Sequence, residues 1–95
     1  MYIQFIWDDT KEKANINKHK ISFTEAKSAF YDPNARVIYD KDHSSNEERF
    51  ILLGLSNKLR LLIVCHCYIE ENEIIRIISA RKATKPEEKQ YEELK

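Results

Sequence analysis

Seven side chains in the second half of the chain have the chemistry to hold and transform a polyanion: the cations Arg49, Arg76, Arg81, Lys82 and Lys85, and the proton-transfer groups His66 and Tyr68. Four of the cations fall within Ile74 to Pro86, a stretch with no carboxylate, although the 16 Lys/Arg and 16 Asp/Glu of the whole chain cancel. Guanidinium forks suit phosphate clamping, lysines track a charged backbone as point charges, and an imidazole is suited to moving protons near neutral pH. Arg76 interrupts an apolar, β-branched run from Ile74 to Ala80. An unpaired guanidinium is too costly to desolvate in a core, so its head must meet a carboxylate, water or a ligand.

Such groups act together only if rigid elements converge them, and the residue pattern predicts those elements. Asp8 or Asp9 can cap a helix over Thr10 to Lys18, closed by His19 and Lys20 where positive charge meets the negative end of the helix dipole. Ser22-Phe23-Thr24-Glu25 forms a capping box for a second helix, which carries Phe23, Ala26, Ala29 and Phe30 on one face and stops at Asp32-Pro33. From Arg36 the period becomes that of strands: Arg36 to Tyr39, Glu48 to Leu55, Leu59 to Ile69 and Glu73 to Ala80. Between the first two lies a wholly polar loop, Asp40 to Glu47, which is expected to be a mobile contact loop. Its His43 could act as a catalytic group, but reads first as a solvated side chain. Thr84 with Glu87 is a further capping box, opening a C-terminal helix. The fold class is α+β: two N-terminal helices, a mainly antiparallel sheet of about four strands, and one C-terminal helix.

Alternation on the third of these strands divides Leu61, Ile63, Cys65, Cys67 and Ile69, taken as the core face, from Arg60, Leu62, Val64, His66 and Tyr68. A three-residue turn, Glu71-Asn72-Glu73, would set Tyr68 opposite Arg76 and His66 opposite Ile78. A two-residue turn would bury Arg76 unpaired on the cysteine face, so the longer turn is expected. His66, Tyr68 and Arg76 then share one sheet face, with Arg81 and Lys82 at the strand's end. By charge and spacing alone, this is equally a set of half-exposed polar residues on a solvated face.

The 95 residues, 42% of them hydrophobic, are enough for one core and predict a single domain over 1–95. One Gly and two Pro, with no repeat or Ser-rich stretch, argue against linkers and disorder. The start, Met1 to Phe5, lacks a basic region followed by an apolar one, and no apolar segment is long enough to cross a bilayer, so a cytoplasmic location with no membrane partner is expected. Cys65 and Cys67 stand two apart on a strand, poorly placed to bridge each other, and with three scattered histidines they match no zinc spacing. Free thiols, no metal site and no cofactor are the expectation. Neutrality counts against a free-standing nucleic-acid binder, but residues 48 to 86 hold seven Lys/Arg against four Asp/Glu, so the sheet region is basic.

Phe5-x-Trp7-Asp8-x-x-Lys11, Asn15, Lys18-His19-x-Ile21-Ser22-Phe23-x-Glu25-Ala26 and Phe30-x-Asp32-Pro33 together resemble the BrnT toxin family. So do Glu48-Arg49-Phe50 with Gly54 and Ser56, Arg60 to Val64 with His66, and Arg76 to Thr84 leading to Tyr91-Glu92. The blocks run in order over nearly the whole chain. The resemblance implies a RelE-like fold and a small bacterial ribonuclease toxin that inhibits translation and arrests growth. It also implies neutralisation by a cognate antitoxin, BrnA-like with a ribbon-helix-helix DNA-binding part, operator DNA being reached only through that partner. Three positions depart from the family pattern: Lys20 and Leu59 stand where glycine is usual, and Cys67 where threonine is usual.

Metal-free RNA cleavage needs a base for the 2′-hydroxyl, cations for the phosphorane and an acid for the leaving 5′-oxygen. The expected assignment places Arg76 and Arg81 on the phosphate, His66 or Tyr68 at the proton, and Arg49, Lys82 and Lys85 along the RNA. The rival expectation is a noncatalytic module whose basic sheet face docks an acidic partner segment and acts as co-repressor. Operator binding by this chain alone fares worse, because the C-terminal helix is acidic and phosphates would repel it.

Overall fold

A computed structural model describes residues 3–95; Met1 and Tyr2, on which part of the leader expectation rests, lie outside the described residues. The elements are β1 (Gln4–Ile6), α1 (Asp9–His19), α2 (Phe23–Ala29), β2 (Arg36–Tyr39), β3 (Phe50–Leu55), β4 (Leu61–Ile69), β5 (Ile74–Lys82) and α3 (Lys85–Leu94), with a short 3-10 turn at Lys41–His43. They build the expected α+β architecture. The sheet order is β1-β5-β4-β3-β2, antiparallel throughout except that β1 runs parallel to β5. The strand not foreseen is β1, whose three residues are too few for alternation to declare itself. None of the helices is long and apolar enough to cross a membrane among the described residues.

Local chemistry accounts for the helix ends. Asp8 accepts from the Lys11 amide at 3.0 Å, Ser22 caps α2 through the Glu25 amide, and Thr84 with Glu87 makes a reciprocal capping box on α3. α1 has little apolar face and is held by a polar anchor instead. The buried Asn15 amide donates to the carbonyls of Ile21 and Ala80, each at 2.9 Å, while its oxygen accepts from the Ala80 amide at 3.0 Å. Every polar atom of that side chain is thereby satisfied, and α1 is fixed in register with β5.

The main core lies between the two N-terminal helices and one sheet face, where Ile21, Phe23, Ala26 and Ala29 meet Leu52, Leu62, Val64, Ile75, Ile77 and Ala80. The expected core face of β4 is therefore corrected. The helices cover Leu62, Val64 and His66, and the Leu61, Ile63, Cys65 and Cys67 side faces the other way. On that second face α3 lays Tyr91 over Leu53 and Ile63, forming a smaller core. A helix of 10 residues reaches about 15 Å, whereas 9-residue strands run about 30 Å. α3 thus leaves the half of this face nearest the β4–β5 turn uncovered by helix, although Cys67 there is buried.

The β4–β5 register also differs from expectation. Ile69 pairs with Ile74, so the turn holds Glu70 to Glu73, and Glu70, Glu71 and Asn72 take φ of 51°, 56° and 70°. A bulge then intervenes: His66 pairs with Ile77 but Cys65 with Ser79, which leaves Ile78 unpaired. The expected register holds from Leu62 to Cys65 and is displaced by one residue from His66 to Ile69. That displacement carries Arg76 opposite Cys67 rather than Tyr68.

Candidate active site

The single-residue slip divides the expected cluster into three places. His66 is fully buried on the helix-covered face, stacked edge-on against Phe30 with ring centroids 4.8 Å apart. Its Nδ1 faces the Val64 carbonyl at 3.1 Å, and a carbonyl only accepts, so that nitrogen carries the hydrogen. Nε2 is then the acceptor for the Tyr68 hydroxyl, 3.1 Å away. Burial pushes the imidazole pKa below its ordinary value and the phenol above its own. Enclosed in this way, His66 cannot touch a substrate; it orients Tyr68, which is half-buried against Phe50 on the central strand.

Arg81 lies at the opposite end of β5 from the open half-face. Both its Nη atoms bond Glu87 of α3, at 2.8 and 3.0 Å, and this fork holds the Glu87 carboxyl down to about 2. The pair fastens α3 to the sheet. Lys82 and Lys85 are exposed at the same end, at the strand's last residue and the helix's first. These three cations therefore do not converge with Arg76, contrary to expectation.

Arg76 itself sits on the uncovered half-face. Its Nη2 lies 2.7 Å from each carboxylate oxygen of Glu47, and Arg49 Nη2 approaches the same carboxylate at 3.5 Å. Of the partners expected for Arg76, a carboxylate, water or a ligand, it has a carboxylate, supplied by the polar loop. Cys67, paired with Arg76 across β4 and β5, lies in the field of both guanidinium groups, although burial raises its thiol pKa. Arg49 is otherwise lightly engaged: among the described residues its Nε is a buried nitrogen with no hydrogen-bond partner. An orphan donor on a charged group is costly to leave unmade.

Beside this trio the N-terminus of α1 closes the edge of β5. Asp8, Lys11, Arg49, Arg76, Ile77 and Ile78 line one open cleft of about 230 Å³. Three cations and the Asp8 carboxylate thus face a common space, on an apolar floor supplied by Ile77 and Ile78, and Glu47 is bonded to two of the cations from outside the lining. Lys11 and Glu47 escaped the reading of the site. Lys11 stood in a helix whose charges look solvated, and nothing in its composition separates Glu47 from its neighbour Glu48; only the fold brings them beside Arg76.

The loop that presents Glu47 is built rather than loose. The Asp40 amide donates to the Arg49 carbonyl at 2.8 Å, Ser44 Oγ donates to the Asp40 carbonyl at 2.6 Å, and the Arg49 amide donates to Ser44 Oγ at 2.9 Å. The mobile contact loop expected from polarity is thus closed at its base by one serine.

A family model described as ribonuclease toxin, BrnT, of type II toxin-antitoxin system matches residues 7–87. Among solved structures, a crystal structure of the Brucella abortus ribonuclease toxin BrnT superposes with a TM-score of 0.68 at 26% identity, covering 87% of this chain and 99% of that one. Among curated proteins no match is found.

Proposed function

The chain belongs to the BrnT family of ribonuclease toxins of type II toxin-antitoxin systems, and from that premise we propose that it cleaves RNA internally, without a metal, on its uncovered sheet half-face. The observation that carries this reading is the Glu47 carboxylate held against Arg76 and Arg49, two of the three cations that line one cleft. In this arrangement Glu47 takes the proton of the 2′-hydroxyl as that oxygen attacks phosphorus. Arg76, Arg49 and Lys11 stabilise the charge that grows on the phosphoryl oxygens. The two guanidinium groups exchange part of their bonding from Glu47 to the phosphate, a movement that also brings the buried Nε of Arg49 out to a partner. The products are a 2′,3′-cyclic phosphate and a 5′-hydroxyl end.

Arg81, Lys82 and Lys85 then serve at most to guide the RNA strand towards the cleft from the far end of β5, and His66 supports Tyr68 rather than moving the reaction's proton. Translation inhibition follows if the RNA cut is messenger. The family's type II character supplies a cognate antitoxin; we assign it an acidic segment that covers the Arg49–Arg76 face, and a DNA-binding part through which operator DNA is reached.

Labelled RNA incubated with purified protein in excess chelator tests the assignment. Scission ending in a cyclic phosphate, lost in Glu47→Gln, is expected. Absence of any scission at high protein concentration would favour the noncatalytic docking module. Scission that requires added divalent metal would overturn the metal-free chemistry.

A further inference from the structure

We infer that His43 is the general acid of this site, with Asp40 as the residue that positions it. The inference rests on the Glu47-centred reading, which supplies a base and commits its cations to the phosphoryl oxygens, leaving the proton donor for the leaving oxygen unassigned. His66 is enclosed, and Tyr68 donates its hydrogen to His66. His43 is the histidine adjoining Glu47 in space: Asp42, His43, Ser45, Asn46, Glu47 and Arg49 line one cleft of about 180 Å³, which shares Arg49 with the cationic cleft.

Geometry equips the side chain for the task. Its Nδ1 lies 2.9 and 3.1 Å from the two oxygens of Asp40, and a carboxylate accepts, so Nδ1 carries a hydrogen and the ring is oriented by that pair. Asp40 is itself largely buried, 10% exposed at the side chain, whereas the His43 side chain is 68% exposed, so the carboxylate is fixed and the ring's outer edge is free. Nε2 is thus the available nitrogen, and the same Ser44 clamp that closes the loop holds Asp40 and Arg49 together. A carboxylate behind an imidazole whose other nitrogen is open is the arrangement by which enzymes orient a proton donor.

Glu47 removes the 2′-hydroxyl proton, the 2′-oxygen bonds to phosphorus, the bond from phosphorus to the 5′-oxygen breaks, and that oxygen takes the Nε2 proton of the His43 imidazolium. His43 is left neutral with Nδ1–H still on Asp40. Glu47 is left protonated, and water resets both.

An RNA carrying sulfur in place of the bridging 5′-oxygen at the cleavage position mapped with the parent protein tests the role, because a thiolate leaves without an acid. His43→Ala and His43→Gln should cleave ordinary RNA at least about 10²-fold more slowly and the sulfur-bridged RNA at the parental rate. Asp40→Asn should be slowed on ordinary RNA and recover on the sulfur-bridged one, which damage to the loop alone would not do. Thermal unfolding of each variant checks that it is folded; the exposed position of His43 makes two folded variants attainable. Parental cleavage of ordinary RNA by both His43 variants, or equal slowing on the two substrates, would overturn the assignment while leaving Glu47 in place. Parental cleavage by Glu47→Gln would instead overturn the site itself, and this inference with it.

Discussion

Arg76 and Glu47 are chelated through a single nitrogen, Nη2, which lies 2.7 Å from both carboxylate oxygens although 28 residues of loop and two strands separate the pair in the chain. Both side chains are about a third exposed, so water reaches the pair and its contribution to stability is modest, about 1 kcal/mol or less. Its value is positional. An arginine on a rigid strand places a loop carboxylate over a cationic cleft.

Glu47→Gln should therefore leave the unfolding midpoint nearly unchanged and lower RNA cleavage by about 10²-fold or more. Arg76→Lys keeps the charge but loses the fork, and should lower cleavage by about as much as removing one preorganised donor, roughly 10²-fold. Single-turnover cleavage alongside thermal melts would check both, and a melt shifted in proportion to activity would count against the positional reading.

His66 should behave as a core residue. His66→Ala removes a fully buried ring and leaves the Tyr68 hydroxyl without its acceptor, at a cost of about 2–4 kcal/mol in denaturant unfolding. Its folded pKa lies below the unfolded value near 6.5, so its neutral form stabilises the fold fully above that pH. As pH falls below about 6.5 that contribution should decline, by up to about 1.4 kcal/mol per pH unit, until the folded pKa is passed. His66→Gln should flatten this slope between pH 7 and 5.

Acid should release α3. Glu87 is held at about 2 against its usual 4.5 by Arg81, so its contribution is complete above 4.5 and lost as pH falls from there through 2. The amount is on the order of 2 kcal/mol after solvent screening. Glu25, whose carboxyl is lowered first by its bond to Arg60 and then, against burial, by Ser56, loses stability in the same direction. Unfolding measured at pH 5 and pH 2.5 should show a smaller drop for Glu87→Gln than for the parent.

Lys20 and Leu59 have φ of 62° and 60°, the left-handed region where a Cβ is strained. Leu59 is 79% exposed and Lys20 is on the surface, so neither contributes much packing. Lys20→Gly and Leu59→Gly should each stabilise the fold by about 1 kcal/mol, with RNA cleavage unaltered. Denaturant midpoints decide it.

The lone glycine has the opposite character. A Cβ on Gly54 would stand 2.8 Å from the Ala29 carbonyl oxygen and 2.9 Å from a methyl of Leu52, so backbone of α2 must shift. Gly54→Ala should cost about 1–3 kcal/mol, seen as a lowered melting temperature.

By itself the sequence determined the three helices and the four antiparallel strands, though not the short β1, because helix caps and apolar runs act within a few residues of one another. It also required a carboxylate, water or a ligand for Arg76, because a guanidinium in an apolar strand is too costly to bury unpaired. Which face of β4 meets the helices was not legible: Leu61-Leu62-Ile63-Val64 is apolar on both sides, and a strand packed on both faces carries no alternation to read. The convergence of the site was decided by the tertiary structure alone. A turn with three consecutive left-handed residues and a one-residue bulge at Ile78 turned Arg76 away from Tyr68 and His66 and onto the half-face that the short α3 leaves open. Because side chains alternate with a period of two, that single residue moved the cation from a histidine to Glu47.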